Sequence, residues 1–245
     1  SFERNTPATS PTNADTLVFR VTFSEDVASV DLADFAVSGT TATVSNVNQV
    51  SADVYDVTVS GGDLAGLDGT VGLDLAGGQN ITDLAGNALP NTEPGTDQTY
   101  LVDNSAPSTP VADLQAASDT GTSDSDDITN DTTPTIEIST EPGATVEWFI
   151  DGVSQGTTTA DGGGVATFTP SSDLAPGTYA FTAESTDDAG NTSAASNALN
   201  VTIDTAAPST TSFERNTPAT SPTNADTLVF RVTFSEDVAS VDLAD

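Results

Sequence analysis

Leu17-Val18-Phe19-Arg20-Val21-Thr22-Phe23 alternates apolar and polar residues, so Leu17, Phe19, Val21 and Phe23 fall on one face of an extended chain. The same period of two returns in Tyr55, Val57 and Val59, and in Val71, Leu73 and Leu75. Further along it recurs in Ile136 and Ile138, in Val146, Trp148 and Ile150, in Tyr179, Phe181 and Ala183, and in Leu199, Val201 and Ile203. Turn residues separate these runs. Asp151-Gly152 reads as a two-residue hairpin turn, and residues 161–164 (Asp-Gly-Gly-Gly) as a wider one. No helix of consequence is predicted. About seven short strands per hundred residues predicts an all-β fold of tandem immunoglobulin-like β-sandwich domains in an elongated array. Trp148, alone of its kind and set on a strand, reads as a core residue.

The chain repeats itself. Residues 1–34 recur at 212–245 without a substitution, an offset of 211. Identity of that length implies recent duplication and an array of near-identical units, which spacers need and enzymes seldom do. A shorter repeat lies inside the unit. Asp83-Leu84-Ala85-Gly86-Asn87 is echoed by Asp187-Asp188-Ala189-Gly190-Asn191, and Val102-Asp103-Asn104-Ser105-Ala106-Pro107 by Ile203-Asp204-Thr205-Ala206-Ala207-Pro208. The expected division is therefore a sandwich over 1–107, a second over 108–208, and over 209–245 the truncated start of a third domain identical to the first. Two strands cannot bury a core alone. Strand exchange with another copy through 212–245 is the expected cover for Leu228, Phe230, Val232 and Phe234.

Composition narrows the function. Four basic residues, all Arg, face 37 acidic ones, a formal charge of −33, with no Lys, His, Cys or Met. Such a surface cannot neutralise phosphates, so nucleic acid is excluded, and it is repelled by anionic lipid. No apolar run is long enough for membrane insertion. Without Cys or His there is no disulfide, thiol nucleophile, imidazole base or soft-metal site, and no enzyme is expected. Carboxylates, amides and carbonyls remain, and oxygen-only donor sets suit Ca²⁺. The competing reading of the acidity is a merely solvated surface.

The densest donor group is Asp119, Asp124, Asp126 and Asp127 with Asn130, in one turn-rich stretch. So many oxygens repel one another unless a cation lies among them; the alternative is a disordered acidic loop. Glu25 and Asp26, with Asp31 and Asp34, form a weaker candidate beside a solvated-loop reading.

At these motifs the chain resembles the bacterial immunoglobulin-like extender domains of giant repeats-in-toxin-type adhesins. The resemblance is carried by Phe23-Ser24-Glu25-Asp26-Val27, the two Asp-x-Ala-Gly-Asn loops, Asp127-Ile128-Thr129-Asn130-Asp131-Thr132-Thr133-Pro134 and the two strand-Asp-…-Ala-Pro endings. It implies extracellular sandwiches in series on a bacterial cell surface, neighbouring repeats as partners, and Ca²⁺ at domain junctions. The junction ligands it points to are Asp187, Asp188 and Asn191 with Asp204, and Asp83 and Asn87 with Asp103 and Asn104, each loop approaching the next domain's start. The glycine-rich nonapeptide calcium repeat of toxins is absent from the sequence. The expected role is a Ca²⁺-stabilised stalk for a tip adhesin; the alternative is a carbohydrate-binding accessory module, which would present aromatics as a platform.

Overall fold

The computed structural model describes residues 1–239 and 241–242. Ser240 and residues 243–245, within the expected third unit, lie outside the described residues. The alternating segments become strands, and the only helical pieces among the described residues are two single 3₁₀ turns. No helix there is long and apolar enough to cross a membrane.

The first sandwich comprises β1 (Phe2–Thr6), β2 (Thr16–Thr22), β3 (Val27–Ala28), β4 (Phe35–Ser38), β5 (Thr43–Ser51), β6 (Val54–Ser60), β7 (Gly69–Leu75), β8 (Thr82–Asp83) and β9 (Tyr100–Val102). One sheet runs β1-β2-β6-β5 and faces β4-β7-β9, with β3-β8 as a small third ladder. The stripe predicted for 17–23 faces inward: Leu17, Phe19 and Val21 are buried against Val57, Val59, Val71 and Leu73. Facing sheets with interdigitated side chains enclose one apolar layer. Tyr100 closes it, its ring edge-on to Phe19 at 5.0 Å. Its hydroxyl accepts the Asn5 N–H at 3.1 Å and lies 2.8 Å from the Pro7 and Val18 carbonyl oxygens. A buried phenol is thus satisfied by the entering chain.

The second sandwich is built from β10 (Ala112–Leu114), β11 (Ile128–Thr129), β12 (Ile136–Ser139), β13 (Thr145–Ile150), β14 (Val153–Thr159), β15 (Val165–Phe168), β16 (Gly177–Thr186) and β17 (Leu199–Ile203). Its sheets are β10-β12-β15 and β11-β17-β16-β13-β14. Ile136, Val146, Phe181, Val201 and Ile203 fill the space between them. Trp148 is 1% exposed, stacks on Phe168 at 5.6 Å and donates its indole N–H to Thr158 Oγ1.

The Asp151-Gly152 turn forms as read, with both residues at positive φ (50° and 76°) and Ile150 opposite Val153. That is the twist a two-residue hairpin favours. The 161–164 reading needs correction. The turn exists, its Gly164 N–H donating to the Asp161 carbonyl, but it joins β14 in one sheet to β15 in the other and closes no hairpin. Period-two patterning fixes which face a strand buries, not which sheet it joins.

Past the second sandwich, β18 (Thr210–Thr217) and β19 (Val229–Phe234) form a hairpin with the register of β1 and β2. Phe2 and Phe19 are 3% and 0% exposed, whereas their copies Phe213 and Phe230 are 69% and 58% exposed. The same sequence makes the same hairpin in both places, and only the covering sheet differs.

Candidate cation pocket and domain junction

β10 and β12 are antiparallel neighbours, and their register sets Asp113 directly opposite Glu137. Like charges so placed oppose pairing. Beyond β10 the chain turns back on itself, the Ser118 and Asp119 N–H groups both donating to the Gln115 carbonyl. This turn carries Asp119 inward until it is 5% exposed. Its Oδ2 receives only the Asp127 N–H at 3.4 Å, and its Oδ1 is buried without a partner. Asp127 is held at φ 58°, folding the acidic loop over the same spot.

The outcome is an open cavity of about 490 Å³ whose wall carries the carboxyls of Asp113, Asp119, Asp124, Asp127 and Glu137. Burial pushes the Asp127 carboxyl above its ordinary range, and the negative charges of Asp119, Asp113 and Asp126 push it further the same way. Among the described residues no three acidic groups already stand together as metal ligands. The pocket is an acidic hollow with one orphaned oxygen rather than a preassembled cage. Its donor set is all oxygen, which fits a hard divalent cation.

Of the five residues grouped by sequence, three line this pocket. Asp126 instead accepts the Ile128 N–H, and Asn130 accepts the Thr120 hydroxyl. Asp113 and Glu137 were missed because they are 24 residues apart in the sequence and meet only through β10 pairing with β12.

The domain-end groups are rearranged more deeply. β16 takes ten residues to pass from one pole of the second sandwich to the other, about 34 Å. Asp187, Asp188 and Asn191 lie beyond its last residue, while Asp204 follows Ile203, which pairs with its first. They cannot share an ion. In the first sandwich, Asp103 and Asn104 follow the end of β9 that pairs with the start of β7, and Asp83 lies beyond β7's other end. Asp83 instead borders a cavity of about 480 Å³ with Glu25 and Asp26. Asn104 is engaged internally, its amide donating to the Leu64 and Leu67 carbonyls.

The loop at 187–191 also faces the opposite way from the expectation: it meets the preceding sandwich. Asn191 Nδ2 donates to the Asp103 carbonyl at 2.8 Å, and Asn13 Nδ2 donates to Asn191 Oδ1 at 3.1 Å. The Asn13 N–H donates to the Ala189 carbonyl at 3.2 Å. Asp187 holds the loop from within, its Oδ1 accepting the Gly190 and Asn191 N–H groups and its Oδ2 the Asn191 amide. Gly190 provides the positive φ of 96° that this tight reversal requires. Beside the contact, Asp103, Glu141, Asp187 and Asp188 border a cavity of about 200 Å³. Two sandwiches thus meet end to end through a small polar joint.

Residues 106–205 match the bacterial Ig-like domain family. Among curated protein sequences none matches the chain. Among solved structures it is similar to the BSP domain of a biofilm associated protein, with 23% identity over 80% of this chain and 29% of that one, and a TM-score of 0.30. It is similar to the fibronectin(III)-like modules of Clostridium thermocellum CbhA, with 12% identity over 83% and 94% of the two chains and a TM-score of 0.40. It is also similar to a tetra-tandem repeat in the extending region of a large adhesion protein, with 14% identity over 84% and 48% and a TM-score of 0.32. The chain therefore spans under a third of the first of these and about half of the last.

Proposed function

We propose that this chain is a non-catalytic extender segment of a bacterial surface adhesin, extracellular, and that it serves by length and stiffness. The observation that carries the reading is the joint itself. The second sandwich sets a loop against the end of the first and hydrogen-bonds to the Asp103 carbonyl just past its last strand, in a chain whose first 34 residues recur at an offset of 211. The bacterial Ig-like match over 106–205 supports the same reading. The carbohydrate-binding alternative loses its anchor, because Trp148 is enclosed in the core and offers no platform.

In this proposal Ca²⁺ is the stiffening ion, and Asp119, Asp127, Asp124, Asp113 and Glu137 would hold it. It would supply positive charge where five carboxylates border one cavity, and would give the orphaned Asp119 oxygen a partner. The protein's own residues prepare that place: the 115–119 turn buries Asp119, and the left-handed Asp127 draws the loop across. A second copy of the chain would cover the exposed face of the β18–β19 hairpin, by strand exchange or by face-to-face packing. Small-angle scattering with Ca²⁺ and with chelator tests the stiffening. A narrower distribution of interdomain distances with the ion supports it, and superimposable profiles refute it.

A further inference from the structure

The two Asp-x-Ala-Gly-Asn loops are the same object built twice. In each, the Asp N–H donates to the Asn carbonyl (Asp83 to Asn87, Asp187 to Asn191), and the Asn N–H returns to the Asp Oδ1 at 2.8 Å. In each, the Asn amide is tied to the Asp Oδ2 and the Gly sits at positive φ, 89° at Gly86 and 96° at Gly190. The loop at 187–191 is engaged with the first sandwich. The loop at 83–87 lies at the pole of the first sandwich away from that joint, with Leu84 74% exposed and Asn87 also exposed.

The surfaces such a loop grips are also built twice. At the end of the first sandwich the Asp103 N–H donates to the Thr12 carbonyl, with Asn13 next in the chain. At the end of the second, the Asp204 N–H donates to the Thr129 carbonyl, with Asn130 next. In both, the strand-end Asp then caps its own turn, its Oδ1 accepting the N–H two residues on (Ser105, Ala206). After Asp204 the chain begins again as it began at residue 1, and the β18–β19 hairpin keeps the register of β1–β2.

We infer that the second sandwich's end, Asn130 with Asp204, is a docking surface for the 83–87 loop of the following repeat. Asn87 Nδ2 donates to the Asp204 carbonyl, and Asn130 Nδ2 to Asn87 Oδ1, as Asn191 and Asn13 do at the joint already formed. One bond of the joint has no counterpart, because the Asn130 N–H is already given to the Thr120 hydroxyl. The two kinds of junction therefore share one asparagine clasp, of two bonds in one and three in the other. The inference rests on the spacer reading for the order of the repeats, but a spacer with unclasped alternate joints is a coherent alternative.

The test uses the full chain extended by one 211-residue repeat, so that a complete first sandwich follows the second. The protein has no cysteine, so any disulfide is an engineered one. The reference pair is N13C with N191C, whose side chains already touch. The test pair is N130C in the first repeat with N87C in the second. Oxidation followed by intact mass and non-reducing electrophoresis should close the test pair to within about twofold of the reference pair, since closure depends on the approach of the two backbones. A reference pair that closes while the test pair stays reduced overturns the inference and leaves the spacer reading standing. A reference pair that fails to close overturns the clasp itself.

Discussion

Replacing Asp119 with Asn removes the charge of the one carboxylate that is both deeply buried and incompletely partnered in the acidic pocket. A buried polar oxygen without a partner costs about 1–3 kcal/mol, and a coordinating cation would return that amount. Ligand linkage gives a comparable figure, about 2.7 kcal/mol at a free ion concentration of 100 times Kd. For a domain of this size each kcal/mol moves Tm by about 4–8 °C, so saturating Ca²⁺ should raise the second sandwich's transition by about 4–24 °C. Differential scanning calorimetry should resolve this as a shift of one transition while the first sandwich's moves little. In D119N the metal-free transition should stay or rise, because repulsion with Asp127 is relieved, and the Ca²⁺ response should collapse. Equal transitions in Ca²⁺ and chelator would refute the reasoning. So would a D119N chain that keeps the full shift.

Asn191→Ala deletes the donor to Asp103 and the acceptor of Asn13, and should loosen the joint by about 1–3 kcal/mol; scattering should show a broader range of interdomain distances while both melting transitions stay near wild type. Without metal, acid should act in opposite senses on individual carboxylates, since each sandwich holds both raised and lowered ones. Asp127 titrates above its ordinary value of 3.8 in the folded state, so its own contribution favours the fold as pH falls through that raised pKa. Asp161 in the same sandwich is held below 3.8, chiefly by the Val165 N–H, and contributes with the opposite sign. Asp68 and Asp83 are held below 3.8, chiefly by the Ser105 hydroxyl and the Asn87 amide respectively. Their contribution to the first sandwich is complete above 3.8 and is lost as pH falls through the lowered values, which calorimetry from pH 7 down to about pH 3 will follow. Finally, the exposed β18–β19 face should drive concentration-dependent association in sedimentation runs, and F213D with F230D should abolish it without touching either core. A wild-type chain monomeric at all concentrations would sink that expectation.

The strand pattern was legible because alternation is local. Leu17, Phe19 and Val21 declare their face through their immediate neighbours, and burial follows. The tight Asp151-Gly152 reversal was legible too, but which ends longer reversals bring together was not. Asp187 and Asp204 are close in sequence, yet β16 and β17 run antiparallel and leave them at opposite poles. The pocket was half legible: the density of Asp between 119 and 127 marked the loop, but Asp113 and Glu137 belong to strands whose pairing no local pattern states. Their own alternation, each a charge between two inward apolar residues, only placed them outward. Knowing that β10 pairs with β12 would have been enough to find them.

The entry and exit segments of the first sandwich run side by side in the same direction, bridged at Phe2 with Asp97 and at Thr12 with Val102. Traction on the two ends of such a unit pulls these neighbouring segments in opposite senses along their common length. The bonds from Phe2 to Thr96, Gln98 to Phe2, Thr12 to Leu101 and Asp103 to Thr12 must then be sheared together, not peeled one after another. A tether assembled from such units resists being drawn out at the point where each module receives the load.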